Sequence, residues 1–533
     1  MHNKSPQQFI ELMAVVVTIL GTGMVYLDQS AVNVALPKLQ EAFSADVSGL
    51  QWMIDIYILT LGVLLLIGGA LGDLYGRVRV FVIGMIIFVL ASLACGLSTS
   101  LGMLIAGRAV QGVGGALLVP GGLAMINAVV AEERRGRALG LWGTFSPLVT
   151  LSGPIVGGWM VDNVSWRAIF FLNMPLGVAA TYVALRYVPE TRDEEGSRRL
   201  DVPGVLSLMV GLAGVLFGLI EGPNLGWGNP LVVAALGGGV AGLAVFVIVE
   251  RRSSAPMLPL NLFRNLPFTG INAMTLLIYF AMSSVFFFQY LNLQQVQGYT
   301  ALQAGLAALP STLMLALLAR WVGKLTDRIG PAPLMTIGCL IICASYFLYA
   351  LPGVGDSRTA AAQTSIIPIE YWTTFFPASL VFGLGAIFTY IPLTSVALGS
   401  LPNRYSGIAS GFNNAVTRIA QMVAVAVFGA LMADVFRAGM VNRLAAVPLG
   451  EAAHADLLSR VRDLGAIAAP DGLAPAVAEA VRQAVGWSFV DAFRQMMYVS
   501  IAVTLAALAV MLATVRNQRA VPVREAEVAV SAD

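Results

Sequence analysis

Four charged side chains stand inside long apolar runs of this sequence: Asp28, Asp55, Arg108 and Arg418. A charge in such surroundings is expensive and by default marks a functional position. A carboxylate there can take up and give back a proton, or hold a cation. A guanidinium keeps its charge and needs a partner, because an unpaired buried charge is severely destabilising. Asp28 or Asp55 could supply that partner to Arg108. Arg418 could pair with Asp28 from far along the chain, in a contact that breaks when a proton arrives; its alternative is a helix end or a backbone carbonyl. The alternative for Asp28 is a hydrogen bond that packs two helices, and for Asp55 an acid at the edge of the apolar layer. Gln421 shares a helix face with Arg418. With Asn33, Gln111, Gln289 and Tyr290 it is a candidate for lining a small-molecule pocket. Phe286, Phe287 and Phe288 could face a greasy or cationic ligand, or lipid and neighbouring helices.

The elements that carry these residues follow from composition. Of 533 residues 58% are hydrophobic and only 11% charged, against roughly 25% charged in soluble domains. No single core absorbs that deficit, so the surface must face lipid. A net charge of +2 gives no support to nucleic-acid binding. Cys95, Cys339 and Cys343 lie in apolar runs and His2 and His454 lie outside them. That is no disulfide framework and no metal site, and no cofactor is expected. About 20 apolar residues cross a bilayer as a helix. Fourteen stretches qualify: 11–36, 50–71, 80–98, 102–130, 138–161, 166–187, 203–221, 230–249, 267–290, 303–322, 333–352, 372–398, 407–431 and 490–514. The first is too long for a cleaved leader and reads as a retained span.

With the N-terminus in the cytoplasm, sixteen Arg and Lys residues of the short loops fall inside, among them Arg77, Arg134, Arg198, Arg199, Arg328 and Arg404. Only Lys38, Arg167 and Arg358 fall outside. The positive-inside rule therefore places both termini in the cytoplasm, in a cell membrane. Asp28 then lies ~25 Å from the cytoplasmic end at ~1.5 Å per residue, and both acids could face one outer cavity.

Two phrases repeat. Gly69, Leu71, Asp73 and Gly76 recur as Gly323, Leu325, Asp327 and Gly330 at a constant offset of 254 (323 against 69, 330 against 76). Two related halves of six spans each, in parallel orientation, are the implied layout. The expected organisation is a first bundle over 1–188, a linker with an inserted hairpin over 189–252, and a second bundle over 253–515 with a long outer loop at 432–489. A cytoplasmic tail follows at 516–533. Stretches of the outer segment, such as His454–Leu464, alternate at helical spacing and could cap the outer mouth or dock an accessory protein. Glu221, ending the seventh span, is read as interfacial.

Four phrases resemble the major facilitator superfamily, and within it the fourteen-helix drug:proton antiporters of the EmrB/QacA type. They are Leu27-Asp28 to Pro37 in the first span, Gly69 to Arg77 after the second, Arg108-Ala-Val-Gln111-Gly112 to Ala116 in the fourth, and Gly153-Pro154-Ile-Val-Gly157-Gly158 in the fifth. Trp166-Arg167 and Asn173-Met-Pro175 follow the last of these. Val149 stands where the fifth-span phrase often has its first glycine, and Val78 and Pro331 replace basic residues of the loop phrases. The resemblance covers essentially the whole chain. It implies an all-α polytopic fold of two pseudo-symmetric bundles and a role for Arg108 in proton transfer. It also implies an inner gate formed by Gly69, Asp73, Gly76 and Arg77, with Asp327 as a weaker copy. Gly112, Gly153, Pro154, Gly157 and Gly158 allow helices to approach, slide and kink. Trp52 to Tyr57 is similar to exporters of organic cations.

Nothing suggests ATP use, since Gly323-Lys324 is followed by Leu325 and no phosphate loop exists. No convergent nucleophile or metal cluster suggests an enzyme. The expectation is export of amphipathic small molecules, cationic or neutral, in exchange for protons. A lipid or secondary-metabolite exporter is the alternative. Its expected partners are a small-molecule substrate, protons and the bilayer, and the expected state is a monomer.

Overall fold

Backbone polar groups in lipid must be satisfied within their own segment, so an apolar chain of this kind crosses as helices. The computed structural model describes residues 6–192, 201–253, 256, 258–355, 366–401 and 406–515. The tail 516–533 and Arg198, Arg199, Arg358 and Arg404 lie outside them. Fourteen helices are long and apolar enough to span a membrane. In chain order, spans 1 to 6 are Pro6–Phe43, Val47–Tyr75, Arg77–Gly96, Leu101–Val129, Glu132–Asn163 and Arg167–Tyr187. Spans 7 and 8 are Val202–Leu225 and Pro230–Arg252. Spans 9 to 14 are Leu266–Val296, Ala301–Ile329, Pro331–Ala350, Phe375–Gly399, Ser406–Leu444 and Pro475–Thr514.

The repeat read from four residues extends over two whole helices. Span 2 starts at Val47 and span 10 at Ala301; they end at Tyr75 and Ile329, and the following spans end at Gly96 and Ala350. Each pair keeps the offset of 254, and so do the N-caps Asp46 and Thr300, whose side chains accept from Gly49 N and Gln303 N. The turn glycines match as well, Gly76 at φ 106° and Gly330 at φ 87°. That backbone region is open to glycine and strained for other residues.

Packing repeats with the sequence. Span 1 packs on spans 5 and 6 as span 9 packs on 13 and 14; span 4 packs on 2 and 3 as span 12 packs on 10 and 11. Between bundles, span 2 meets span 13 and span 5 meets span 10. The second of these crossings needs small residues: a Cβ on Gly158 would lie 2.7 Å from Leu302 Cα, and one on Gly305 would collide with the Pro154 carbonyl. The hairpin of spans 7 and 8 attaches through span 7, which touches spans 2 and 13.

Among the described residues, direct bonds between the bundles gather toward one end, the one carrying Phe43, with the bond from Arg418 to Gln29 lying nearer mid-span. Gln51 donates to Val425 O at 2.6 Å, Gln294 to Val34 O at 2.9 Å and Gln295 to Gln40 Oε1 at 2.8 Å. Asp162 accepts from Ala301 N and Leu302 N, the first turn of span 10. At the opposite, Tyr75 end, added Cβ atoms at Gly136 and Gly143 of span 5 would meet nothing within 4 Å.

The stretch 432–489, expected as a long outer loop, is nearly half an extension of its flanking helices, since span 13 runs to Leu444 and span 14 begins at Pro475. Between them, helix Glu451–Ser459 and the turn Val461–Ala466 fold over the Phe43 end. Leu457 and Leu464 are fully buried there. Gln40 donates to Asp463 O at 3.1 Å and Arg462 to Asn224 O at 2.7 Å.

Candidate functional site

Span 1 turns Asp28 into the interior of the first bundle, where it has no exposed surface. Arg108, also fully buried, donates through Nη1 to Asp28 Oδ2. The same Nη1 donates to Gln111 Oε1 at 2.7 Å, and Gln111 Nε2 returns to Asp28 Oδ1 at 2.9 Å. Arg108 and Gln111 are three residues apart on span 4, so one helix face presents both. Asn173 of span 6 donates to the same Oδ1 at 2.8 Å and to Ser92 Oγ of span 3 at 2.9 Å. Span 2 contributes the Tyr57 ring, 4.0 Å beneath the guanidinium carbon. Five of the six helices of the bundle thus converge on one ion pair. Arg108 Nε and Nη2 have no acceptor, so the guanidinium holds donors in reserve. Loss of the Asp28 charge on protonation would free more of them.

Arg108 takes Asp28, not Asp55, and the reason lies on span 2. At ~100° per residue, Gln51, Asp55, Ile58 and Gly62 fall within about 60° of one another. Gln51 bonds Val425 O, and a Cβ on Gly62 would lie 2.9 Å from Arg418 Cβ, so this face meets span 13. Ser48 and Trp52, within about 60° of Asp55 on its other side, bond Asn224 and Glu221 of span 7. Tyr57, Thr60 and Leu61, which meet span 4, point at least about 120° away from Asp55. The two acids therefore do not share a cavity. Asp55 sits in the seam between spans 2, 7 and 13, fully buried, with neither carboxyl oxygen hydrogen-bonded.

The expected pairing of Arg418 with Asp28 is not made. Arg418 donates to Gln29 Oε1 at 3.1 Å and to Gln421 Oε1 at 3.3 Å, and lies over the Tyr26 ring. Asp28 and Gln29 are consecutive and point about 100° apart on the helix, so the residue next to the acid crosses to the other bundle while the acid turns inward. Asn33, one turn beyond Gln29, is half-buried.

Residues 18–425 match the sequence profile of the Major Facilitator Superfamily. The chain belongs to that superfamily. It is 33% identical over 425 residues to the multidrug resistance protein Stp of Mycobacterium tuberculosis (strain CDC 1551 / Oshkosh), covering 79% of this chain and 76% of that one. Over 79% of this chain it is 30% identical to the tetracenomycin C resistance and export protein of Streptomyces glaucescens, covering 76% of that protein. It is 32% identical to the methylenomycin A resistance protein of Bacillus subtilis (strain 168), over 79% of this chain and 87% of that one. Among solved structures, a bacterial homolog of the human lysosomal transporter Spinster, inward-facing and unoccupied, superposes with a TM-score of 0.60 at 16% identity, covering 96% of this chain and 99% of that one. At that identity the likeness shows the fold. As a major facilitator the chain is a transporter and not an enzyme.

Other expected positions of this facilitator scatter. Asp73 accepts from Arg77 Nε at 2.9 Å, an i,i+4 pair. The first turn of span 3 is capped instead by Glu190, which accepts from Val78 N and Arg79 N at 3.0 Å each. Arg77 N reaches Thr191 O at 2.8 Å. Glu190 is 112 positions from Val78, and no local pattern announces it. Asp327 is exposed and forms no ion pair among the described residues. Gln289 and Tyr290, with Phe286 and Phe382, line a small cleft inside the second bundle. Phe287 and Phe288 are core, and Gln289 Oε1 is buried without a partner. Gly69 lies against Pro120, while Gly153 and Gly157 lie against Ser30 and Ala31 of span 1, and Gly112 against the Tyr57 carbonyl. Glu221 is not a free interfacial acid: it accepts from the Trp52 indole at 2.8 Å and from Asn224 at 3.0 Å. A cavity of about 760 Å³ lies at the Phe43 end, lined from both bundles and the capping turn by Gln40, Asp162, Gln294, Arg460 and Asp463. None of the Asp28 network lines it.

Proposed function

We propose that this facilitator exports amphipathic small molecules, cationic or neutral, in exchange for protons, by alternating access. In this reading the Phe43 end faces outward, both termini are cytoplasmic, and the bonds gathered at that end describe an outside-closed state. The observation that carries the proposal is the pair of buried acids in contrasting settings. Asp28 is held by Arg108, Gln111 and Asn173, while neither carboxyl oxygen of Asp55 has a hydrogen-bond partner among the described residues. A carboxylate without a partner is costly in such a place and the neutral acid much less so, so Asp55 suits the role of proton carrier. Asp28 with Arg108 suits the role of switch: neutralising Asp28 frees the guanidinium, and Gln29, its neighbour on span 1, links that event to Arg418 in the other bundle. Two acids favour cations, and the printed names of the relatives describe multidrug and antibiotic resistance.

Purified protein in liposomes, given an imposed pH gradient and ethidium as a lipophilic cation, tests the reading. Asp28→Asn and Asp55→Asn are each expected to fold and to lose proton-driven ethidium movement. Wild-type coupling by both variants at all pH values would sink the proposal. A relative named for tetracenomycin C export supports a second reading, a secondary-metabolite exporter on the same fold. Its signature is an unaltered response to ethidium in cells lacking the protein, with a metabolite retained inside them.

A further inference from the structure

The inserted hairpin has no counterpart in the repeat, and the transport cycle just described makes no use of it. Its attachment is nonetheless specific. Span 7 presents Phe217 and Glu221, one turn apart, to span 2. The Phe217 ring packs 6.1 Å from the Trp52 ring, and Glu221 Oε1 accepts the Trp52 indole N–H at 2.8 Å. Asn224, one turn further, donates to Glu221 Oε2 at 3.0 Å and to Ser48 Oγ at 2.6 Å. Arg462 of the capping turn closes over the same place by donating to Asn224 O.

Ser48 and Trp52 are the positions on span 2 that lie between its outer end and Asp55 on the face toward span 7. Asp55 is eight residues from Val47, so ~12 Å of helix separates it from that end. With span 2 bonded to span 13 through Gln51 and Val425 O, the other approach to Asp55 from outside lies between spans 2 and 7, and Glu221 and Asn224 bridge that gap. The seam's other wall is span 13. The charged groups on the elements around Asp55 are Asp73 of span 2 itself, Glu221 of span 7, Arg418, Asp434, Arg437 and Arg443 of span 13, and Arg462 and Asp463 of the capping turn.

We propose that the hairpin is the seal over Asp55, and that Glu221 is the positioning residue that keeps it shut by accepting the Trp52 indole N–H. In the outside-closed state the seal keeps external protons from the Asp55 carboxyl. When the bundles rock and the seam between spans 2 and 13 opens, Asp55 meets external water and is loaded. A loosened seal admits external protons while the other face is open, and they pass inward by way of Asp55 without any substrate moving out. This rests on Asp55 being the proton carrier.

The test is substrate-free proton entry into liposomes loaded with a pH-sensitive dye, with the full-length protein and an acid outer buffer. Trp52→Phe keeps the ring and removes only the donor; Glu221→Ala removes the acceptor; Glu221→Gln keeps a carbonyl that can still accept. Trp52→Phe and Glu221→Ala are expected to raise proton entry about tenfold, the effect on an opening equilibrium of losing one hydrogen bond to a carboxylate. Glu221→Gln is expected to stay near wild type, and Trp52→Phe combined with Asp55→Asn to return to the baseline. If Glu221→Ala does not fold, Trp52→Phe carries the test by itself. An unchanged leak in Trp52→Phe overturns the proposal, and so does a raised leak that survives Asp55→Asn. Normal proton-driven ethidium export by Asp55→Asn on its own would instead remove the reading on which the proposal rests.

Discussion

Arg108→Ala would leave the Asp28 carboxylate fully buried with only two amide donors, Gln111 and Asn173. Breaking a buried pair from one side costs about 3–5 kcal/mol, so thermal unfolding of Arg108→Ala should show a large loss. Adding Asp28→Asn removes the stranded charge and should restore much of the stability but none of the transport, a coupling that a double-mutant cycle reads directly. Both members of the pair were legible because a charge in an apolar run stands out. Ser92 was not, since small hydroxyls are common in membrane helices and can satisfy themselves on their own backbone; Tyr57 was visible only as the end of a phrase, and its ring meets Arg108 because spans 2 and 4 pack together. Asn173 was visible only as part of a phrase, and its bond to Asp28 depends on spans 1 and 6 being neighbours.

Elements were the most readable level. Each span needed only length and apolarity, and the turn between spans 2 and 3 needed only its glycine. Gly76 has φ 106°, and an added Cβ would meet the Glu190 carboxyl carbon at 2.7 Å. Gly76→Ala should therefore cost more than the ~1–3 kcal/mol of the backbone conformation itself, because the cap on span 3 must move aside. Its effect should be less than additive with Glu190→Ala when both are measured by thermal unfolding. The end of span 13 and the start of span 14 were misjudged for a physical reason. Beyond the apolar layer these helices carry charges such as Arg443 and Asp491, which pair with each other at 2.5 Å. Hydropathy falls there although the helix continues.

Which way the bundles lean is a property of the whole molecule. Asp162 of one bundle caps span 10 of the other through Ala301 N and Leu302 N. A cap of this kind contributes roughly 0.5–2 kcal/mol, which in the proposed cycle favours the state closed at the Phe43 end. Asp162→Ala should shift the population toward opening at the Phe43 end. Spin labels at Glu41→Cys and Glu451→Cys, both exposed, should report a larger share of long distances. The number of spans, the two related halves, the surplus hairpin and the charged residues worth testing were all set by the sequence alone, because apolar length, a constant offset and a charge in lipid are local properties. Which acid Arg108 would hold, that Arg418 would bond Gln29, and that Glu221 would reach Trp52 were decided only by the tertiary structure. A side chain's direction on a helix changes by about 100° with each residue, and what it meets depends on which helix packs on that face.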